Sequence, residues 1–161
     1  MRAPFAAKEE DIRRFVSDKR SWIQKHLEIA EQRKREAPPV SLLSRQEMDE
    51  LFQEALDVLP QKVRVFARKM GLSYGRITIR NQKTRWGSCS QKGNLNFNCL
   101  LMLTPPEIQD YVVVHELCHL KEMNHSERFW NEVGKVLPDY RQREKWLKEN
   151  GPQLIRRMTG E

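Results

Sequence analysis

The chain is poor in the features that define several common protein classes. It has three cysteines, an odd number with no C-x-x-C spacing, which argues against a disulfide framework. Cys118 reads as a small buried residue. Cys89 and Cys99 flank a hairpin without facing each other, so all three are expected as reduced thiols. No apolar run approaches the length of a membrane span, and Met1 to Glu10 lacks the apolar core of a signal peptide. A cytoplasmic protein without membrane association is therefore expected. There is no internal repeat, no low-complexity segment and no Walker-type Gly-rich loop. Acidic residues are missing altogether between Asp57 and Glu107.

That last absence shapes the charge distribution. Segment 58–106 carries Lys62, Arg64, Arg68, Lys69, Arg76, Arg80, Lys83, Arg85 and Lys92, which together exceed the net charge of +7. The remainder of the chain is thus net negative. A one-signed segment is usually a solvated face, but it also creates a field that attracts anions. An anionic or nucleic-acid partner of segment 58–106 is one expectation. With 161 residues, 39% hydrophobic and 32% charged, the chain is long enough for one compact core with a helical appendage.

The order of elements follows from periodicity. Ile12, Phe15, Val16, Trp22, Ile23, Leu27 and Ala30 recur at helical spacing, which predicts one amphipathic helix, or two meeting near Ser17-Asp18. Ala37-Pro38-Pro39 breaks the pattern. Residues 1–39 therefore read as a helical arm and linker, 40–151 as the main domain and 152–161 as a loosely held tail. Ser44-x-x-Glu47 is a capping box opening a helix with the stripe Met48, Leu51, Phe52, Ala55, Leu56 and Leu59. Pro60 is expected to kink or split that helix, and Gly71 to stop it. Arg76 to Arg80 alternates like a strand. Thr84 to Cys89 and Asn94 to Asn98 flank Ser90-Gln91-Lys92-Gly93. A four-residue turn there would set Cys89 opposite Asn94 and Trp86 opposite Phe97. Thr104 with Glu107 forms a second capping box ahead of a helix containing Val112-Val113-Val114, apolar on several sides and therefore central. Ser126 and Asp139 are expected to cap two further helices, the last ended by Asn150-Gly151.

The central helix continues into His115-Glu116-Leu117-Cys118-His119, followed by His125. Residues four apart on a helix differ by roughly 40° in direction, so His115 and His119 can grip one ion. Glu116 stands beside the first ligand, where it can reach a water without ligating the metal. A catalytic zinc site uses three protein ligands and keeps one position open. His125 is the natural third ligand, with Glu122, Glu127 and Glu132 as rivals. Glu122 occupies the position where the long metzincin motif has its turn-making glycine, and Asn124 is the residue that tolerates a left-handed turn instead. One zinc ion is the expected cofactor. The expected chemistry is hydrolysis of a peptide or protein substrate by a zinc-activated water, with Glu116 as general base. Tyr111, one turn before His115, and Arg85 are candidates for contact with the substrate or the transition state. A metal-dependent nucleotide phosphoanhydride hydrolase and a nucleic-acid-associated zinc protein are the alternatives.

Arg85-Trp86-Gly87-Ser88-Cys89-Ser90, Gly93-Asn94-Leu95, the run Asp110 to Leu120, Asn124-His125-Ser126 and Phe129-Trp130 together resemble the YgjP-like zinc metallopeptidases, which are similar to SprT-like and minimal gluzincin proteases. The resemblance spans roughly Val40 to Gly151. It implies zinc on His115, His119 and His125, Glu116 as general base, and an α+β, zincin-like, helix-rich fold with a small, mostly antiparallel sheet packed on the active-site helix. Two departures are visible. Many relatives carry tryptophan where Cys99 stands. Relatives often begin with strands ahead of the first helix, so Met1-Arg2-Ala3-Pro4 reads as the end of that region in a shortened member.

Overall fold

The computed structural model describes residues 9–36 and 41–160. The linker expected at Ala37-Pro38-Pro39 lies outside these residues, as does Met1 to Pro4. Backbone contacts divide the chain into two units, Met1–Pro39 and Val40–Glu161.

The first unit contains α1 (Glu9–Asp18) and α2 (Arg20–Glu36). Of the two expected forms of the arm, the structure has the pair of helices, parted at Lys19. Glu9, Glu10 and Asp11 place negative charge at the positive end of the α1 dipole. None of the α1 side chains is buried, and Phe15, Trp22 and Leu27 are exposed. His26 packs its ring on Trp22 and donates Nδ1–H to the Trp22 carbonyl at 2.9 Å, so the one histidine outside the metal motif is bonded locally.

The second unit is built on two helices that pack on each other and share one core. Helix α3 (Arg45–Met70) opens with the expected capping box: Ser44 Oγ accepts from Glu47 N, and Glu47 Oε2 accepts from Ser44 N. It ends at Gly71, which takes the left-handed conformation at φ 64°. The break expected at Pro60 does not occur, and α3 runs through it. An interior proline costs about 3 kcal/mol. Ala55, Leu59, Val63 and Ala67 are buried on both sides of it, and each large aliphatic among them contributes about 1.5–3 kcal/mol, which outweighs that cost.

Three short strands follow: β1 (Ile77–Arg80), β2 (Gly87–Cys89) and β3 (Leu95–Asn98). The sheet order is β1-β3-β2. The α+β class is as expected, but the sheet is mixed, with β1 parallel and β2 antiparallel to β3. The hairpin register also differs by one residue. Gly87 faces Phe97, Ser88 faces Asn96 and Cys89 faces Leu95. The cause lies in the turn. Ser90 belongs to the ladder, donating its N–H to Asn94 O at 2.9 Å, and the loop is Gln91-Lys92-Gly93 with Gly93 at φ 73°. A slip of one residue sends side chains to the opposite face, which frees Trp86 from Phe97.

A 3-10 turn, Cys99–Leu103, leads into α4 (Pro106–Cys118). The capping box expected at Thr104 is absent. Thr104 instead closes the 3-10 turn, donating Oγ1–H to Leu101 O at 2.8 Å, and Pro105 precedes α4. As expected, α4 is central: Ile108, Tyr111, Val112, Val113, Val114 and Leu117 are all buried. Helices α5 (Glu127–Val136) and α6 (Tyr140–Thr159) complete the unit. Neither Ser126 nor Asp139 makes a side-chain capping bond; Asp139 pairs with Arg143. Residues 152–161 are not a loose tail as far as they are described. Helix α6 continues through Gly151-Pro152 to Thr159, and Leu43 N donates to Arg157 O at 2.8 Å. Among the described residues no helix is long and apolar enough to cross a membrane.

Candidate metal centre

Helix α4 delivers the first two imidazoles. His115 lies in its last turn and His119 is its C-cap. Immediately beyond, Leu120 N bonds Leu117 O, and both Lys121 N and Glu122 N bond Cys118 O, which turns the chain sharply. Asn124 does not adopt the left-handed conformation allowed for it; among the described residues positive φ occurs only at glycine. The loop brings His125 back over the helix end. Ring centroids lie 4.9 Å apart for His115–His119 and His115–His125, and 4.7 Å for His119–His125. One nitrogen from each ring lies within 4.8 Å of the others. The Nε2 atoms of His115 and His125 stand 3.0 Å apart.

This donor set fits zinc. With Zn–N distances of about 2.0–2.1 Å, tetrahedral geometry separates two nitrogens by about 3.3 Å, inside the observed range. Burial pushes His115 down to about 3, helped by the neighbouring charges of His119 and His125. Burial also lowers His119. Both rings are therefore neutral near pH 7, with a lone pair to offer. His119 donates Nδ1–H to the Glu122 carbonyl at 3.0 Å, which turns its Nε2 lone pair towards the other rings. His115 Nδ1 is buried with no hydrogen-bond partner. A half-buried ring that leaves this nitrogen unpaired points to a use for its other nitrogen.

Glu116 is buried one residue after His115. Burial raises its pKa to about 8, and the charge of Arg85 pulls the other way. Its carboxylate lies against β2. A Cβ at Gly87 would sit 2.7 Å from both Glu116 Cγ and Oε1, so only glycine permits this approach. Tyr111 is buried, with its ring edge-on to His115 at 5.8 Å. Burial, followed by the charges of Glu144 and Glu116, raises its pKa. Arg85 is exposed. Of the rival ligands, Glu132 is bound to Lys121 at 2.7 Å and to Lys135, and these contacts hold its carboxyl down at about 2. Glu122 contributes its backbone carbonyl instead.

Three contributors escaped the sequence reading in their present roles. Phe129, fully buried on α5, touches all three imidazoles: it stacks on His119 at 4.5 Å and meets His115 and His125 edge-on at 4.8 Å. Its spacing four residues after His125 was the available signal. Gly87 is set by the register described above. Asn98, fully buried, donates Nδ2–H to Gln82 O at 2.7 Å and Arg85 O at 2.9 Å, pinning the loop that carries Arg85 and Trp86.

A metal-ready histidine helix packed on a small sheet is the layout of a zincin-like metallopeptidase. Solved structures with this fold include the metallopeptidase zymogen of Pyrococcus abyssi abylysin, at TM-score 0.52 and 24% identity, covering 57% of this chain and 94% of that one. The metallopeptidase zymogen of Methanocaldococcus jannaschii jannalysin matches at TM-score 0.50 and 21% identity, covering 56% and 94%. No curated protein matches the sequence. The YgjP-like metallopeptidase domain model matches residues 43–150, and the chain belongs to that family. It is a metallohydrolase by family.

Proposed function

We propose that this chain hydrolyses peptide bonds at one zinc ion held by His115, His119 and His125. The observation that carries the reading is the convergence of three imidazole nitrogens within 4.8 Å beside a buried carboxylate on the same helix. A zinc ion bound there supplies a Lewis acid and lowers the pKa of a bound water to about 7. Glu116 accepts the proton of the attacking water and returns it to the leaving amine. Gly87 leaves the carboxylate room, and Phe129 fixes the angle of all three rings. Arg85, exposed and electrostatically coupled to Glu116, is the group we assign to substrate contact. Tyr111 orients the His115 ring. Strand β2 pairs on one side only and begins at Gly87, against Glu116. Its other edge offers main-chain groups to an extended peptide.

The test is a digest of an unstructured peptide library by the full zinc-loaded chain, with new termini read by mass spectrometry. Nucleotides are scored for phosphate release alongside. Cleavage by the wild type is expected, with a loss of about 10²–10⁴-fold in Glu116→Gln at unchanged zinc content. Undiminished cleavage by zinc-loaded Glu116→Gln, or phosphate release with no peptide cleavage, overturns the reading.

A further inference from the structure

Between the loop ahead of β2 and helix α6 lies a cavity of about 670 Å³. We propose that it is a substrate subsite for a peptide's C-terminal residue, taking a bulky apolar side chain while Lys83 pairs with the terminal carboxylate. This rests on the peptidase reading above.

Two of its lining residues, Trp86 and Tyr111, neighbour residues of the metal centre. Trp86 directly precedes Gly87, whose backbone meets Glu116, and Tyr111 lies edge-on to His115. The walls are indole, phenol, Leu147, Pro152 and Ile155. The last two reach it only because α6 continues beyond Gly151. Gly151 leaves room for the indole to pack on the α6 backbone, since a Cβ there would lie 3.1 Å from Trp86 Nε1. Concave apolar walls with a few polar groups at the mouth are the usual form of a small-ligand site. At this mouth Lys148 and Glu144 pair at 2.6 Å and cancel. Lys83 is exposed and makes no hydrogen bond or ion pair among the described residues, which leaves one positive charge beside an apolar hollow. A terminal carboxylate next to a Phe, Leu or Met side chain complements both features. A lysine side chain meets neither.

Binding separates this proposal from turnover. Full-length Glu116→Gln, in zinc-loaded and metal-free forms, is titrated with N-acetyl-phenylalanine, its amide, N-acetyl-alanine and Nα-acetyl-lysine. The Trp86 indole N–H is followed by NMR and assigned with Trp86→Phe. N-acetyl-phenylalanine is expected to move that signal in both forms and to bind about two- to fivefold tighter than the amide, the gain of one solvent-exposed ion pair. The alanine and lysine probes should bind more weakly. Lys83→Ala removes the difference between acid and amide. Thr84→Trp, an exposed rim substitution that fills the mouth, weakens every probe. Equal binding of acid and amide, an unmoved Trp86 signal, or binding lost with the metal overturns the proposal. The two readings fail separately: specific binding at Trp86 in a wild type that cleaves no peptide removes the peptidase and leaves the pocket. Cleavage indifferent to an apolar C-terminus, without probe binding, does the reverse.

Discussion

His115 and His119 approach the metal centre from a buried helix, whereas His125 approaches it from an exposed loop. The helix needs nothing beyond its own geometry to align its pair, because the i, i+4 spacing and the core around α4 fix both rings. The loop needs outside help. Phe129 meets the His125 ring edge-on, and the Lys121–Glu132 ion pair ties the loop's first half to α5. Two of the three imidazoles are thus placed by local structure and one by tertiary packing, and the two kinds should fail differently.

His115→Ala should show the largest effect, abolishing both zinc binding and hydrolysis, with zinc content of the purified protein as the readout. Gly87→Ala comes next. Its methyl group displaces the Glu116 carboxylate, so hydrolysis should fall by at least about 10²-fold while zinc content stays unchanged. Steady-state kinetics beside metal analysis reads both. Phe129→Leu keeps an apolar core residue but removes the ring that all three imidazoles touch. Zinc affinity by competition with a chelator should drop about 10–100-fold, the scale for groups that orient ligands, and the cobalt-substituted spectrum should change. Glu132→Gln frees Lys121, and with it the loop, from α5 and should cost less than about 1 kcal/mol in stability, because the lysine end of the pair is exposed to solvent. Its effect on zinc affinity should be smaller than that of Phe129→Leu.

The metal-free protein should also reveal the two buried groups by pH. His115 titrates near 3 in the folded chain against an ordinary 6.5, so its neutral form is favoured by folding, and stability falls as pH drops from 6.5 towards 3. Glu116 titrates near 8 against an ordinary 4.5, so folding favours its protonated form, and stability falls as pH rises from 4.5 to 8. Denaturant midpoints across this range should show Glu116→Gln abolishing the alkaline loss and leaving the acid loss.

The same division explains what could be read from the sequence. The helix carrying His115, Glu116 and His119 was legible because its spacing and its apolar neighbours are local. His125 was legible as a ligand type at a plausible distance, although its path was not, since no left-handed residue makes the turn. The hairpin was visible but its register was not. A three-residue loop and a four-residue turn differ only in whether Ser90 joins the ladder, and Gly93 serves both. Pro60 was read as a break and Asn150-Gly151 as a helix end because local rules say so, and buried side chains on α3 and the packing of Gly151 on Trp86 override them. The parallel pairing of β1 with β3 depends on contacts far apart in sequence and left no local mark.

The most direct test of the central claim is zinc-edge X-ray absorption on the full-length, zinc-loaded chain at neutral pH. Three imidazole nitrogens at about 2.0–2.1 Å and one oxygen are expected, falling to two imidazoles in His125→Ala. An unchanged imidazole count in His125→Ala, or sulfur in the first shell of the wild type, would contradict a centre built from these three histidines.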